Sequence, residues 1–197
     1  MRSHPHARTR QSSRTIRPRQ RVPTVHETSA GGVVIRRIKG HWHVALLKIR
    51  HARGEVWVLP KGHVEHHRGE TRDVAAVREV REELGIANVR VLRKLGVVRW
   101  QFMGTLDRRA KSVKPGTYAR RPLDTARGEP LDVARGNSVR VVKTVHHYLM
   151  EGLSEHLKPQ ASEGFLEARW VPYARALKLL AYPTDSSIVA KVLEKKK

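Results

Sequence analysis

The sequence predicts an α/β protein in which helices pack on a mixed sheet, and three observations predict it. Short runs rich in β-branched residues recur along the chain, as in "TSAGGVVIRR" (28–37) and "SVRVVKTVHHYLMEGL" (138–153). One segment, 71–84, instead repeats its apolar residues at helical spacing. Strand and helix signals alternate irregularly, which suggests an α+β arrangement or an α/β/α sandwich.

Taken in order, 28–37 and "HWHVALLKIR" (41–50) read as two strands, and "IKG" between them suits a tight turn. "VWVLP" (56–60) is a short apolar run closed by Pro60. A helix follows from about Thr71 to Leu84, with Gly85 placed to end it in a left-handed conformation. "NVRVLRKLGVVRWQF" (88–102) reads as strand, kink and strand. In 138–153, Val139, Val141 and Val145 alternate with Val142 and Tyr148, so both faces are partly apolar. "EARWVPYARALKLLAY" (167–182) gives a strand to Val171 and a helix from near Pro172. "DSSIVAKVLEKKK" gives a last helix capped by Asp185 or Ser186.

Charge divides this framework from its surroundings. The 197 residues carry 40 Lys and Arg against 18 acids, a net +22, which points to anionic partners such as phosphates, nucleotides or nucleic acid. Residues 1–23 hold seven arginines and no acid, and read as a disordered basic tail with weak nucleic-acid contact. Residues 103–137 contain four Gly, three Pro and eight Lys or Arg, and read as a long basic loop inserted in a domain spanning 24–193. Residues 194–197 form a second basic tail. No apolar run approaches the ~18 residues of a membrane span and no apolar signal segment stands near the start, so a cytoplasmic protein without membrane contact is expected. The absence of cysteine removes disulfides, thiolate catalysis and cysteine-held metals. The twelve histidines show no metal-ligand spacing, and no dedicated histidine site is expected.

Against this basic background, Glu70, Asp73, Glu79, Glu82 and Glu83 fall within fourteen residues. At 100° per residue, Val74, Val77, Val80 and Leu84 share one side of the helix and Glu79, Glu82 and Glu83 nearly the opposite one. Three carboxylates this close repel one another. They form either a solvated face partly offset by Arg72, Arg78 and Arg81, or a site for a hard cation that also holds phosphates.

The wider pattern decides between these. Gly62, then Glu70, then seven residues, then "REVREELGI" (78–86) resembles the signature of the Nudix hydrolases. From Glu70 onward every specified position matches. Upstream, seven residues rather than five separate Gly62 from Glu70, with "EHHRGE" in the widened loop, so the placement of Gly62 is where the likeness is weakest. The resemblance implies an α/β/α Nudix sandwich and hydrolysis, dependent on Mg²⁺ or Mn²⁺, of a nucleoside diphosphate linked to another moiety. Carried over by position, Glu79, Glu82, Glu83 and the Gly62 carbonyl hold the metal, while Arg78 and Glu70 brace the loop–helix structure. The general base is Glu79, with Glu167 in "LEARWVP" as the alternative.

"SAGGVVI", "WVLPKGH" and "LLAYPTD" resemble the MutT-like members and the diadenosine polyphosphate hydrolase branch. Lys61, Arg50, Lys143, His147 and Tyr182 are then the candidates to bind substrate, with Lys48 on the same rim as Arg50. Trp100 or Tyr182 is placed to stack on a base, and Trp170 is assigned to the core. Gly31 and Gly32 suit close backbone approach rather than phosphate binding, because no helix follows them. The expected function is a pyrophosphohydrolase for dinucleoside polyphosphates. The alternatives are sanitation of oxidised or non-canonical nucleoside triphosphates and, in a different class, a Nudix-like module that binds nucleic acid.

Overall fold

Lys39 and Gly40 turn the first corner of the fold. Both have positive φ, 47° and 82°, the requirement of the two-residue hairpin turn that matches strand twist. The turn joins β1 (Thr24–Ile38) to β2 (His41–His51) with Ile38 opposite His41. The computed structural model describes residues 22–51, 54–107, 112–115, 138–160, 162 and 164–194. β3 (Gly54–Val58) pairs with β2, and a three-residue strand, β4 (Lys61–His63), pairs with β1 so that Gly62 faces Ala30. This strand, polar and short, has no signal in the sequence.

α1 (Arg72–Leu84) ends at Gly85, whose φ of 62° is the left-handed stop expected there. β5 (Val89–Asp107) carries register shifts at Val91/Arg93 and Lys94/Gly96, the kink read from its sequence. It runs into the interval expected to be loop, where β6 (Ser112–Pro115) pairs with its end. The rest of that interval, like residues 1–21 and 195–197, lies outside the described residues. β7 (Ser138–Gly152) lies parallel to β1 and antiparallel to β5, and β8 (Phe165–Pro172) pairs with β2. α2 (Tyr173–Leu179) and α3 (Pro183–Ala190) follow. α3 starts earlier than expected: Tyr182 takes the cap position, Pro183 the first turn that its fixed φ favours, and Asp185 is buried inside that turn instead of capping it.

The sheet order is β3-β2-β1-β7-β5-β6, with β4 on β1 and β8 on β2. Alternation splits the core into two layers. Val33, Ile35, Val44, Leu46 and Leu149 pack with Ala176, Ile188 and Val189 of α2 and α3. Val34, Ala45, Leu47 and Met150 pack with Ala75, Ala76, Val80 and Leu84 of α1. This is an α/β/α sandwich on a mixed sheet, as expected. Leu46 is wholly buried, and Leu46→Ala there costs about 2–5 kcal/mol. No helix among the described residues is long and apolar enough to cross a membrane.

Candidate active site

α1 lies on the sheet rotated from the orientation its apolar residues suggest. Val74 is 54% exposed, while Glu79 and Glu83 are only 9% and 7% exposed. The buried arc is Ala75, Ala76, Glu79, Val80, Glu83 and Leu84. Two small alanines let the helix sit close, and Val80 rests on Gly32, where an added Cβ would stand 2.8 Å from Val80 Cγ2. Glu79 and Glu83, one turn apart, therefore point inward toward β4. Glu82 stays at the solvent margin, so the three carboxylates do not share one outward face.

Arg78 organises this corner. Its Nε and Nη2 grip Glu70 at 2.8 and 3.1 Å, Nη1 donates to Glu79 at 2.7 Å and to Glu82 at 3.1 Å, and Nη2 also donates to the His63 carbonyl at 2.9 Å. The planar guanidinium suits this fork, which a lysine could not reproduce. The Arg78 hydrogen bonds, chiefly, hold the Glu70 carboxyl down at about 2, helped by the Glu65 N–H. Glu70 in turn pushes Arg78 above its usual range. Glu83 accepts the Lys61 N–H at 2.8 Å. Gly62 presses against Glu79: a Cβ there would lie 2.0 Å from Oε2, so no larger residue fits without displacing the carboxylate.

The widened loop leaves this arrangement intact. His66–Arg68 form a single 3₁₀ turn closed by Gly69 at φ 72°. Glu65 donates its N–H to the Glu70 carboxylate at 2.8 Å and accepts the Glu70 N–H at 3.4 Å. The two extra residues are looped outside that closure, and Gly62 and Glu79 stay in contact.

Glu70, Glu79 and Glu82 thus share one guanidinium, and Glu83 is joined to a neutral N–H. Such an excess of hard oxygen donors beside a bare glycine backbone fits a divalent cation. Among the described residues, no three His, Asp or Glu side chains already converge in ligating positions. Glu79 and Glu82 are turned to Arg78 instead.

The candidate substrate residues divide into two groups. On the α2/α3 face, Lys61, Lys143 and His147 lie on adjacent strands: Gly31 pairs with both Lys61 and His147, and Glu27 pairs with Lys143. Lys143 Nζ is 3.6 Å from Glu27, which also meets His63 at 3.7 Å. Burial, more than the neighbouring Lys61, pushes the Lys143 ammonium down against the pull of Glu27. His147 is 1% exposed and pushed down to about 4, first by burial and then by Lys61, so its ring is neutral. Trp100 is paired with Lys143 and is 36% exposed, which leaves an aromatic surface at the end of this row.

Lys48, Arg50 and Glu167 belong elsewhere, on β2 and β8. Glu167 meets Lys48 at 3.0 Å and also pairs with Arg169, while Glu55 meets Lys48 at 3.6 Å and Arg50 at 3.9 Å. Lys48 and Arg169 both lie over the Trp57 ring. Hydrogen bonding to Lys48 holds Glu167 below its usual range. Tyr182 packs with the α1-side core, as does Trp170. Two residues of this region carry no functional signal in the sequence. Glu27 faces the cationic row, and buried Asp185 accepts the Leu59 N–H on the segment that leads to Lys61. Only the long-range pairing of β1 with β7, and of α3 with Leu59, brings them there.

A NUDIX domain model matches residues 26–192. A Mycobacterium tuberculosis protein bearing the name of a mutator protein, MutT4, is 36% identical over 184 residues, covering 90% of this chain and 60% of that protein. The chain therefore spans about three fifths of that relative's length. Among solved structures, the binary complex of the Caenorhabditis elegans Ap4A hydrolase aligns with TM-score 0.55 and 19% identity over 84% of this chain and 93% of that one. RenU, a Nudix hydrolase of M. smegmatis, aligns with TM-score 0.52 and 17% identity over 87% and 90%. At those identities the structures speak for the fold alone. The domain match across most of the described chain, together with the box of carboxylates around Arg78, places the chain in the Nudix family.

Proposed function

We propose that the chain is a Mg²⁺-dependent (or Mn²⁺-dependent) pyrophosphohydrolase that cleaves a nucleoside diphosphate from another moiety, with dinucleoside polyphosphates as its preferred substrates. The observation that carries this reading is the cluster of four carboxylates beside Gly62, three of them on one guanidinium and Glu83 on the Lys61 N–H. Glu79, Glu82, Glu83 and the Gly62 carbonyl would hold the cation. A divalent cation there supplies neutralisation of phosphate charge and acidifies water. Arg78 and Glu70 fix the carboxylates, and the Lys61 N–H orients Glu83. Lys61 and Lys143 face the polyphosphate, while Trp100 offers a base-stacking surface. Glu79 takes the proton from the attacking water. Glu167, paired with Lys48 and Arg169 on β8, is the alternative base.

The segments "SAGGVVI", "WVLPKGH" and "LLAYPTD" support the dinucleoside polyphosphate reading. The mutator name of the 36% identical relative favours a second one, sanitation of damaged nucleoside triphosphates. Purified protein incubated with Mg²⁺ and dinucleoside polyphosphates, normal and oxidised triphosphates, nucleotide sugars or capped RNA separates them by kcat/KM. A tenfold preference of about that size or more for dinucleoside polyphosphates is expected. Preference for oxidised triphosphates would establish the second reading. No turnover, with RNA binding that weakens steeply in salt, would establish a binding module instead.

A further inference from the structure

The sheet face that carries α1 holds another group of cations, which the hydrolytic site does not use. His146 is 7% exposed, and its Nδ1 has no hydrogen-bond partner. On β7 it stands between Thr144 and Tyr148, and the β5 residues opposite those two are Arg99 and Lys94. Diagonal neighbours on adjacent strands lie ~7 Å apart, so both cations flank the imidazole. Arg99 leans across the sheet, its Nε donating to Thr144 Oγ1 at 3.3 Å. Arg72, the first residue of α1, adds a third cation close enough to act on His146.

Among the described residues these charges meet no carboxylate partner. Arg72, Lys94 and Arg99 are exposed, and none forms an ion pair among the described residues. The neighbouring carboxylate, Asp73, is taken up by Thr71 Oγ1 at 2.7 Å and by the backbone N–H groups of residues 73 and 74. Burial first, then Arg72, Lys94 and Arg99, push the His146 ring below its usual range. The 13-residue α1 also presents its positive end here.

We propose that Arg72, Lys94, Arg99 and His146 form a second phosphoryl-binding site, on the sheet face opposite Lys61 and Lys143. Three cations from two elements converge around one imidazole, an arrangement that fits a single tetrahedral anion rather than an extended nucleic-acid strand. The ligand is a phosphate or pyrophosphate group, either inorganic or carried by a nucleotide. Each is a chemical product of phosphoanhydride cleavage.

The test is a calorimetric titration of the full chain in EDTA with inorganic phosphate, pyrophosphate, AMP and a short RNA, which removes any contribution of a catalytic cation. Pyrophosphate or phosphate is expected to bind, and the K94Q/R99Q double variant to lose about tenfold or more in affinity. K61Q/K143Q keeps that affinity, and K94Q/R99Q keeps its thermal midpoint and any turnover. Tighter binding of AMP than of phosphate assigns the site to nucleotides, and the reverse assigns it to inorganic product. The proposal is overturned if no phosphoryl ligand binds, if only RNA binds, or if K61Q/K143Q abolishes binding and K94Q/R99Q does not.

Discussion

Glutamates gather at two places on this sheet, and the two differ in how many cations they share. Around α1, Glu70, Glu79 and Glu82 divide one guanidinium, and Glu83 has the Lys61 N–H. Around β2, two glutamates, Glu55 and Glu167, meet three cations, Lys48, Arg50 and Arg169. The β2 group is neutralised within the protein. The α1 group gathers four carboxylates, two of them buried, beside one guanidinium, and such a cluster suits a divalent counter-ion. The ratio of acids to bases, rather than the presence of acids, separates a site for a cation from an ion-pair network.

That contrast can be broken experimentally. Glu83→Gln is expected to lower Mg²⁺-dependent turnover about a thousandfold with little change in the melting temperature. Wild-type turnover in that variant would remove the α1 group from the reaction. Gly62→Ala drives a methyl into Glu79, and a displacement near an ångström costs on the order of a hundredfold in kcat. A kinetically silent alanine would show that the contact does not matter. Glu167→Gln should cost less than about tenfold, since loss of a general base costs ~10²–10⁴; a loss in that larger range would move the base to β8.

The smallest effect is on stability. The folded Glu70 carboxyl sits at about 2 against an ordinary 4.5. A depressed pKa stabilises the fold above the ordinary value and loses that contribution as pH falls. The wild-type melting temperature should therefore drop between pH 4.5 and about 2 more steeply than that of Glu70→Gln. Equal slopes in calorimetric scans would mean that the Arg78–Glu70 pair is not linked to folding.

The sequence carried the clustered carboxylates more clearly than their setting. Glu79, Glu82 and Glu83 were marked by a fixed register with Glu70 and Arg78, which local spacing preserves. The facing of α1 was not legible, because periodicity counts Val74 as buried and glutamate as exposed. Here Ala75 and Ala76 allow a close approach that turns Glu79 and Glu83 inward. β4 has no signature in the sequence because Lys-Gly-His has no apolar pattern, and its pairing depends on β1. The separation of Lys143 from Lys48 and Arg50 follows from strand order, above all the parallel β1–β7 pairing, which no local window contains. The last helix was misplaced by a cap residue, Asp185, that the fold uses instead to hold Leu59.

The paired hydrogen bonds between Glu65 and Glu70 have a consequence for what this chain can tolerate. They act as a buckle, and the strap beyond it carries no tension from the helix. Lengthening a loop costs only ~0.6 kcal/mol for each doubling. The turn at 66–69 is therefore a graft point, where a reporter peptide or a foreign epitope could be spliced in while Gly62 and Glu79 keep their distance.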